Sequence, residues 1–195
     1  MDWPQELVDI FETCRRKYGT HEARYYGPYD ILLNHILAQN SDAFTFFVTP
    51  QCIPSAVGNL NQAVDFVVCL RDLDGHDANL ELKPVLIVEI KDDSWVNSGR
   101  LRLRADEQIR LRFNQMLQNC PLPVLYGLSF LGTSMRLYSG NVATGNIIPE
   151  LIDNPDPDRI VPPELLEGRW NIDVLSEAGA MRIQEVIEHI VHMNG

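Results

Sequence analysis

The chain has 195 residues, of which 45% are hydrophobic and 22% are charged. These fractions are close to those of globular proteins, so we expect a single folded domain over residues 1–195 and exclude collagen-like and broadly disordered chains. No apolar stretch approaches the roughly 20 residues of a membrane span. The first residues also lack the basic and then apolar pattern of a secretory signal.

Charge and cysteine content limit the partners and the compartment. The 16 Lys and Arg residues face 27 Asp and Glu, giving a net charge of −11. This sign excludes a protein that coats nucleic acid non-specifically, so any contact with a polyanion must be local. The four cysteines have no zinc-binding spacing, which indicates reduced thiols. We expect an intracellular protein, cytoplasmic or nuclear, that does not bind membranes.

Two helices are predicted in the first 40 residues. Pro4 precedes apolar residues spaced by three and four, which predicts an amphipathic helix that ends near Gly19. After Gly27 and Pro28, an apolar stripe predicts a second, short helix from Tyr29 to about Ala38.

Three strands are predicted next. Residues 44–49 are rich in β-forming residues and end at Pro50. Residues 64–70 and 85–91 are almost continuously apolar, which is typical of strands covered on both faces. The polar residues 71–84 between them indicate a turn or a hairpin tip.

A helical period returns from about Leu101 to Gln118. The apolar stripe that predicts the buried face consists of Ala105, Ile109, Phe113 and Met116. A polar stripe at spacings of four lies beside it and consists of Arg104, Gln108 and Arg112.

The last third of the chain predicts a hairpin, a connector and a helix. Residues 124–130 and 135–138 are expected to form two strands around a turn at 131–134. The Pro-rich residues 154–163 indicate an extended connector, and residues 178–192 carry the apolar spacing of a final amphipathic helix.

Charged side chains interrupt the two most apolar strands at Asp65, Glu89 and Lys91. An ionised carboxylate in an apolar setting destabilises the fold by several kcal/mol unless it is paired or bound to a cation. Glu89 and Lys91 face the same side of their strand, roughly 6–7 Å apart, because side chains alternate. If the strand of Asp65 pairs beside them, two carboxylates and an ammonium converge, an arrangement that can hold a hard divalent cation. Such a cation activates water and offsets phosphate charge, while the lysine either orients that water or stabilises the developing negative charge.

Asp65 followed by Glu89-Ile90-Lys91 at the end of the next strand resembles the signature of the PD-(D/E)XK nuclease superfamily. The resemblance covers about residues 29–140 and implies the restriction-endonuclease-like fold. It implies that Asp65 and Glu89 bind Mg²⁺ or Mn²⁺ together with the backbone carbonyl of Ile90. Lys91 matches the catalytic lysine of the family.

The resemblance also implies further site residues. Gln108 lies on the helix after the third strand, where several branches of the superfamily carry a Gln that positions substrate or water. An acidic residue on an early helix is often part of the pattern, and either Asp30 or Glu22 matches it. Val64 stands where the short family motif has a proline, which weakens the match little.

The elements and the resemblance together predict an α/β fold of the α+β kind, a mixed sheet flanked by helices with a restriction-endonuclease-like core. The N-terminal helix and the C-terminal connector and helix lie outside this core. The whole chain, notably residues 26–29, 88–95 and 131–134, also resembles a group of intracellular proteins of mushroom-forming fungi, and this resemblance supplies no known activity.

These observations favour a metal-dependent nuclease that cleaves DNA or RNA. Arg102, Arg104 and Arg112 flank the expected site and are the candidates for binding the substrate backbone. The alternative is a nuclease fold without catalysis that serves as an interaction module for a protein partner. In that case the acids and the lysine form a structural salt bridge.

Overall fold

A computed structural model describes residues 2–17, 19, 21–42, 44–53, 63–71, 83–152 and 160–194. At its centre lies a mixed sheet of seven strands, flanked by helices. The predicted mixed α/β architecture is confirmed at this level. No helix in the described ranges is long and apolar enough to cross a membrane.

The helices and strands are named in chain order. The helices are α1 (Gln5–Lys17), α2 (Tyr26–Asn40), α3 (Gly99–Met116) and α4 (Glu177–Asn194). The strands are β1 (Phe46–Cys52), β2 (Val64–Leu70), β3 (Lys83–Lys91), β4 (Val124–Leu131), β5 (Ser134–Asn141), β6 (Ile147–Ile148) and β7 (Ile172–Asp173). Short 3₁₀ helices cover Glu22–Tyr25, Asp93–Asn97 and Leu117–Asn119.

The strand order is β1-β2-β3-β4-β5-β6, and β7 pairs with the other end of β5. Strands β1, β2 and β3 form an antiparallel meander, whereas β3 and β4 are parallel and are joined through α3. Because β2 and β3 run in opposite directions, the beginning of β2 lies beside the end of β3. Phe66 is paired with Val88, and this register puts Asp65 next to the segment Glu89–Lys91.

The apolar pattern explains why these strands are central. All residues of β2 except Leu70 are buried, and so are all residues of β3 except Lys83. The predicted strand at residues 64–70 matches β2 at both ends, and β3 begins two residues before the predicted position. The predicted buried stripe of α3 is confirmed, since Ala105, Ile109, Phe113 and Met116 all lie in the interior.

Two predicted boundaries were wrong for reasons that involve proline. Helix α2 begins at Tyr26 rather than Tyr29, because Pro28 lies in the first turn, where no helical N–H bond is needed. Strand β1 begins at Phe46 and continues through Pro50 to Cys52. It is an edge strand, where a missing N–H is tolerated.

The later elements follow the predicted order. The hairpin of β4 and β5 turns at Gly132, whose φ of 62° favours glycine. Helix α4 covers the predicted residues 178–192 and buries Ile183, Ile187 and Ile190. Most of the predicted hairpin tip at 71–84 and of the connector at 154–163 lies outside the described residues. All four cysteines are free thiols.

Candidate functional site

The beginning of β2 and the end of β3 bring Asp65, Glu89 and Lys91 into one buried cluster. These residues are 5%, 2% and 6% exposed, respectively. The backbone N–H of Ile90 donates to Oδ2 of Asp65 at 2.7 Å, which fixes this carboxylate against the neighbouring strand. The convergence expected from strand alternation is therefore present in the fold.

Four oxygen atoms surround the ammonium group of Lys91. Its Nζ donates to the backbone carbonyl of Ile90 at 2.8 Å. It also lies 3.5 Å from Oε2 of Glu22, 3.6 Å from Oε2 of Glu89 and 3.7 Å from Oδ2 of Asp65. One cation position is thus surrounded by three carboxylates and a carbonyl, all of them hard oxygen donors.

Of the two candidate early acids, the structure places Glu22 in the cluster. Glu22 lies on the 3₁₀ helix that leads into α2, and its side chain faces Lys91. Asp30 lies farther along α2, where its side chain accepts from Nδ2 of Asn34 at 3.2 Å. The match of Asp30 to the early acid is therefore not supported by its position.

Tyr26 is a member of the cluster that the sequence reasoning missed. Its hydroxyl donates to Oδ1 of Asp65 at 2.9 Å and lies 3.4 Å from Oε1 of Glu22. Burial and the neighbouring Asp65 carboxylate raise the pKa of Tyr26 well above its usual value, so the hydroxyl remains a donor. The spacing of four from Glu22 is the signal that would have placed it on the same helical face.

Helix α3 contributes two of the three residues of the predicted polar stripe. Nε2 of Gln108 donates to Oε2 of Glu89 at 2.7 Å, and Nε of Arg112 donates to Oε1 at 2.6 Å. Arg112 is fully buried and also donates to the carbonyl of Ala63, just before β2, at 3.0 Å. Both oxygens of Glu89 are therefore held in place from one helix.

The arginines predicted to bind substrate have three different environments, and two of the predictions are corrected. Arg102 is buried and donates to the carbonyls of Val96, Pro163 and Leu165, so its guanidinium holds the C-terminal segment. Arg112 is engaged with Glu89, as described above. Only Arg104 is exposed, with its guanidinium carbon 5.8 Å from the centre of the Trp95 ring. Residues buried among fixed carbonyls and carboxylates cannot reach a substrate backbone.

The electrostatics of the cluster are dominated by burial. Burial, and then the nearby Asp65 carboxylate, raise the pKa of Glu89 to about 7, although Lys91 and Arg112 act in the opposite direction. With every group ionised, the three carboxylates exceed the ammonium and the guanidinium by one negative charge. A carboxylate that titrates near neutrality and a residual negative charge both favour an additional cation.

The predicted metal ligands are close together, but the ammonium group of Lys91 lies between them. The carbonyl of Ile90, predicted as a ligand, accepts from the Lys91 ammonium. Within the described ranges, no group of three or more His, Cys, Asp or Glu side chains is arranged to hold a metal ion. The oxygen donors suit Mg²⁺ or Mn²⁺ in kind, and a metal ion at this position requires the ammonium to move.

An ion-pair network braces the 3₁₀ helix of Glu22 against the end of β3. Nη2 of Arg24 lies 2.8 Å from Oδ2 of Asp92 and 2.7 Å from Oδ1 of Asp93. Asp92 also caps the next 3₁₀ helix by accepting from the N–H of Ser94 at 3.0 Å. This network holds Glu22 beside Lys91, although the two residues are far apart in the chain.

The cluster combines two buried acids and a buried lysine with Glu22, whose side chain is 40% exposed, and with two polar side chains of α3. Its members come from the first 3₁₀ helix, from the adjacent ends of β2 and β3, and from the middle of α3. Comparisons of the chain with protein-family models, with curated proteins and with solved structures each give no match.

Proposed function

We propose that the chain is a nuclease of the PD-(D/E)XK type that hydrolyses phosphodiester bonds of DNA or RNA with Mg²⁺ or Mn²⁺. The observation that carries the proposal is the cation position surrounded by Asp65, Glu89, Glu22 and the carbonyl of Ile90. Buried acids lower the stability of a fold, and buried groups with perturbed pKa values tend to occur at binding or catalytic sites, so the cluster is a candidate for such a site.

The topology supports the finer assignment to a restriction-endonuclease-like core. An antiparallel meander of β1, β2 and β3 is followed by α3, a parallel β4 and a hairpin to β5. This is the element order that the sequence resemblance implies. The acids lie at the beginning of β2 and the end of β3, where the resemblance puts the metal ligands.

Each residue of the cluster has a role in this proposal. Asp65, Glu89 and the carbonyl of Ile90 are the ligands, with Glu22 beside them. A bound divalent ion supplies an activated water and offsets the charge of the phosphate. With a metal ion bound to these oxygens, the Lys91 ammonium would stabilise the negative charge that develops on the phosphate. Gln108 and Arg112 are positioning residues, because they hold Glu89 in one orientation.

The acidic charge of the chain limits how nucleic acid binds. With a net charge of −11, the surface as a whole repels a polyanion. Arg100 and Arg104 are exposed on one face of α3, one turn apart, and Arg104 lies beside the Trp95 that follows the site strand. We therefore expect binding to be local and strongly weakened by salt.

Asp65→Asn is expected to reduce Mg²⁺-dependent cleavage by at least about 100-fold, since a metal ligand contributes several kcal/mol to the transition state. Asn keeps the shape, and its oxygen still accepts from the N–H of Ile90. Cleavage of labelled DNA and RNA is measured with Mg²⁺, with Mn²⁺ and with EDTA. Asp30→Asn is the matched control and should leave the rate unchanged. Cleavage by the wild-type protein in excess EDTA, or an active Asp65→Asn variant, would contradict the proposal.

The metal response is expected to depend on pH through Glu89, whose pKa is raised to about 7. Because a divalent ion competes with the proton, the rise in melting temperature with Mn²⁺ should be small about one pH unit below 7 and complete about one unit above it. At 100 times the dissociation constant, the stabilisation should reach about 2.7 kcal/mol. Melting curves with and without Mn²⁺ across this range measure the effect.

Without metal, the contribution of Glu89 to stability changes with pH in the opposite direction and decreases as the pH rises. A raised carboxyl pKa stabilises the folded state fully below the ordinary value of 4.5, and this contribution is lost as the pH rises through about 7. Glu89→Gln should remove both the metal response and this contribution. A metal response of equal size on both sides of pH 7 would show that Glu89 is not a ligand.

The second candidate function is a non-catalytic interaction module that binds a protein partner. The observation in its favour is that Glu89 is already paired with the buried Arg112 and that the Lys91 ammonium lies among the acids. In that case Asp65→Asn leaves Lys91 with one partner fewer, and it lowers stability with or without metal. A melting temperature that does not respond to metal, together with a destabilised Asp65→Asn variant, would favour this function.

A further inference from the structure

A tryptophan lies at the outer side of the cluster and has no role in the chemistry proposed above. Trp95 belongs to the 3₁₀ helix Asp93–Asn97, directly after β3, and its side chain is half-buried. The Nζ of Lys91 lies 5.9 Å from the centre of its ring. The indole is therefore next to the lysine that would contact the scissile phosphate.

The ring of Trp95 is held in place by its surroundings. It packs against a separate hydrophobic cluster that contains Leu131, Leu166 and Trp170. The 3₁₀ helix that carries it is capped by Asp92, which is itself paired with Arg24. A partly exposed aromatic ring with little freedom loses little entropy when a ligand stacks on it.

Arginines extend from this ring along the beginning of α3. The guanidinium carbon of Arg104 lies 5.8 Å from the centre of the Trp95 ring. Arg100, one helical turn earlier, is also exposed. An aromatic ring with one guanidinium beside it and a second one helical turn away provides a surface for a base and charges for the neighbouring phosphates.

We propose that Trp95 stacks on an unpaired base of a single-stranded DNA or RNA segment whose phosphates contact Arg104 and Arg100. The proposal rests on the proposed nuclease function and specifies its substrate class. In a continuous duplex each base is already stacked and paired, so the ring has no free base face to contact. A single strand, a loop or a frayed end has such a base, and it would bring the adjoining phosphate toward Lys91.

The test measures binding without cleavage. Fluorescence anisotropy in EDTA follows labelled single strands of about 12 nucleotides, one of DNA and one of RNA. Trp95→Ala is expected to weaken binding about 5- to 150-fold, the equivalent of the roughly 1–3 kcal/mol of one stacked base. Trp95→Phe should keep most of the affinity. Phe47→Ala, which removes an exposed aromatic from β1, should not change it.

Two further binding measurements distinguish the contribution of base stacking from that of the arginine charges. Wild-type protein should bind an abasic strand of the same length about as weakly as Trp95→Ala binds the intact strand. It should also bind a blunt duplex of the same sequence more weakly than the single strand. Equal affinity of wild type and Trp95→Ala for the intact strand, or no measurable binding of any single strand, would overturn the proposal.

The binding test and the cleavage test can fail separately, so failure of the stacking proposal is distinguishable from failure of the nuclease proposal. Loss of binding in Trp95→Ala without any metal-dependent cleavage would support the stacking site and refute the nuclease. Cleavage of duplex and single strands at equal rates, with Trp95→Ala fully active, would support the nuclease and refute the stacking site. Melting curves check that Trp95→Ala is folded, and Trp95→Phe provides the comparison if it is not.

Discussion

Lys91→Met is expected to abolish metal-dependent cleavage and to strengthen the binding of Mn²⁺. The loss of cleavage should be about 100- to 1,000-fold, which is the effect of removing one group that stabilises developing charge. Metal binding should improve because the ammonium no longer lies among the oxygens of Asp65, Glu89, Glu22 and Ile90. The one substitution should therefore weaken catalysis and strengthen metal binding.

The same variant should be less stable in EDTA by about 3–5 kcal/mol, because buried carboxylates lose their cation. Mn²⁺ should restore much of this loss, so the melting temperature of Lys91→Met should rise more with metal than that of the wild type. Calorimetric titration with Mn²⁺ and melting curves measure both effects. Lys83→Met, at the other end of β3, is the matched control and should cleave and respond to Mn²⁺ as the wild type does. Retained cleavage, or a metal response smaller than that of the wild type, would contradict the assigned role of Lys91.

Arg112→Met is expected to reduce the free energy of unfolding by about 3–5 kcal/mol, although Arg112 lies on a polar stripe of α3. The side chain is fully buried, and its partner Glu89 is 2% exposed, so the substitution leaves a buried carboxylate without its guanidinium. Without Arg112, the pKa of Glu89 should rise further. The defect should therefore increase with pH, because the folded state then releases its proton less readily than the unfolded chain.

A double-mutant cycle tests this pairing. Glu89→Gln/Arg112→Met removes both charges, and it should be less destabilised than the sum of the two single variants. Urea unfolding at neutral pH gives the four free energies. Arg104→Met, on the same helix but exposed, should change stability by less than about 0.5 kcal/mol. An additive cycle would show that the two residues do not stabilise each other.

A large part of the core could be predicted because it depends on local patterns. The continuous apolar segment of β2 was delimited correctly at both ends, since a strand covered on both faces leaves little choice of residue. The buried stripe of α3 followed from helical periodicity. The convergence of Asp65, Glu89 and Lys91 followed from strand alternation and from the assumption that β2 and β3 are neighbours.

Periodicity identifies a face of a helix, and it does not identify the element against which that face packs. Gln108 and Arg112 were correctly grouped on one stripe, yet only the packing of α3 on β3 reveals that both hold Glu89. Arg102 lies on the same helix and is buried, and its guanidinium donates to two carbonyls of the C-terminal segment and to the carbonyl of Val96.

The sequence by itself determined the order of the core strands and helices and the residues that interrupt two apolar strands with charge. Tertiary structure alone decided that Glu22 and Tyr26, rather than Asp30, complete the cluster, because the ion pairs of Arg24 bring the first 3₁₀ helix to the end of β3. It also decided that Asp106 is fully buried, where it accepts from residues of α3 and β5. Such contacts join residues far apart in the chain, and only the packing of the elements brings them within hydrogen-bonding distance.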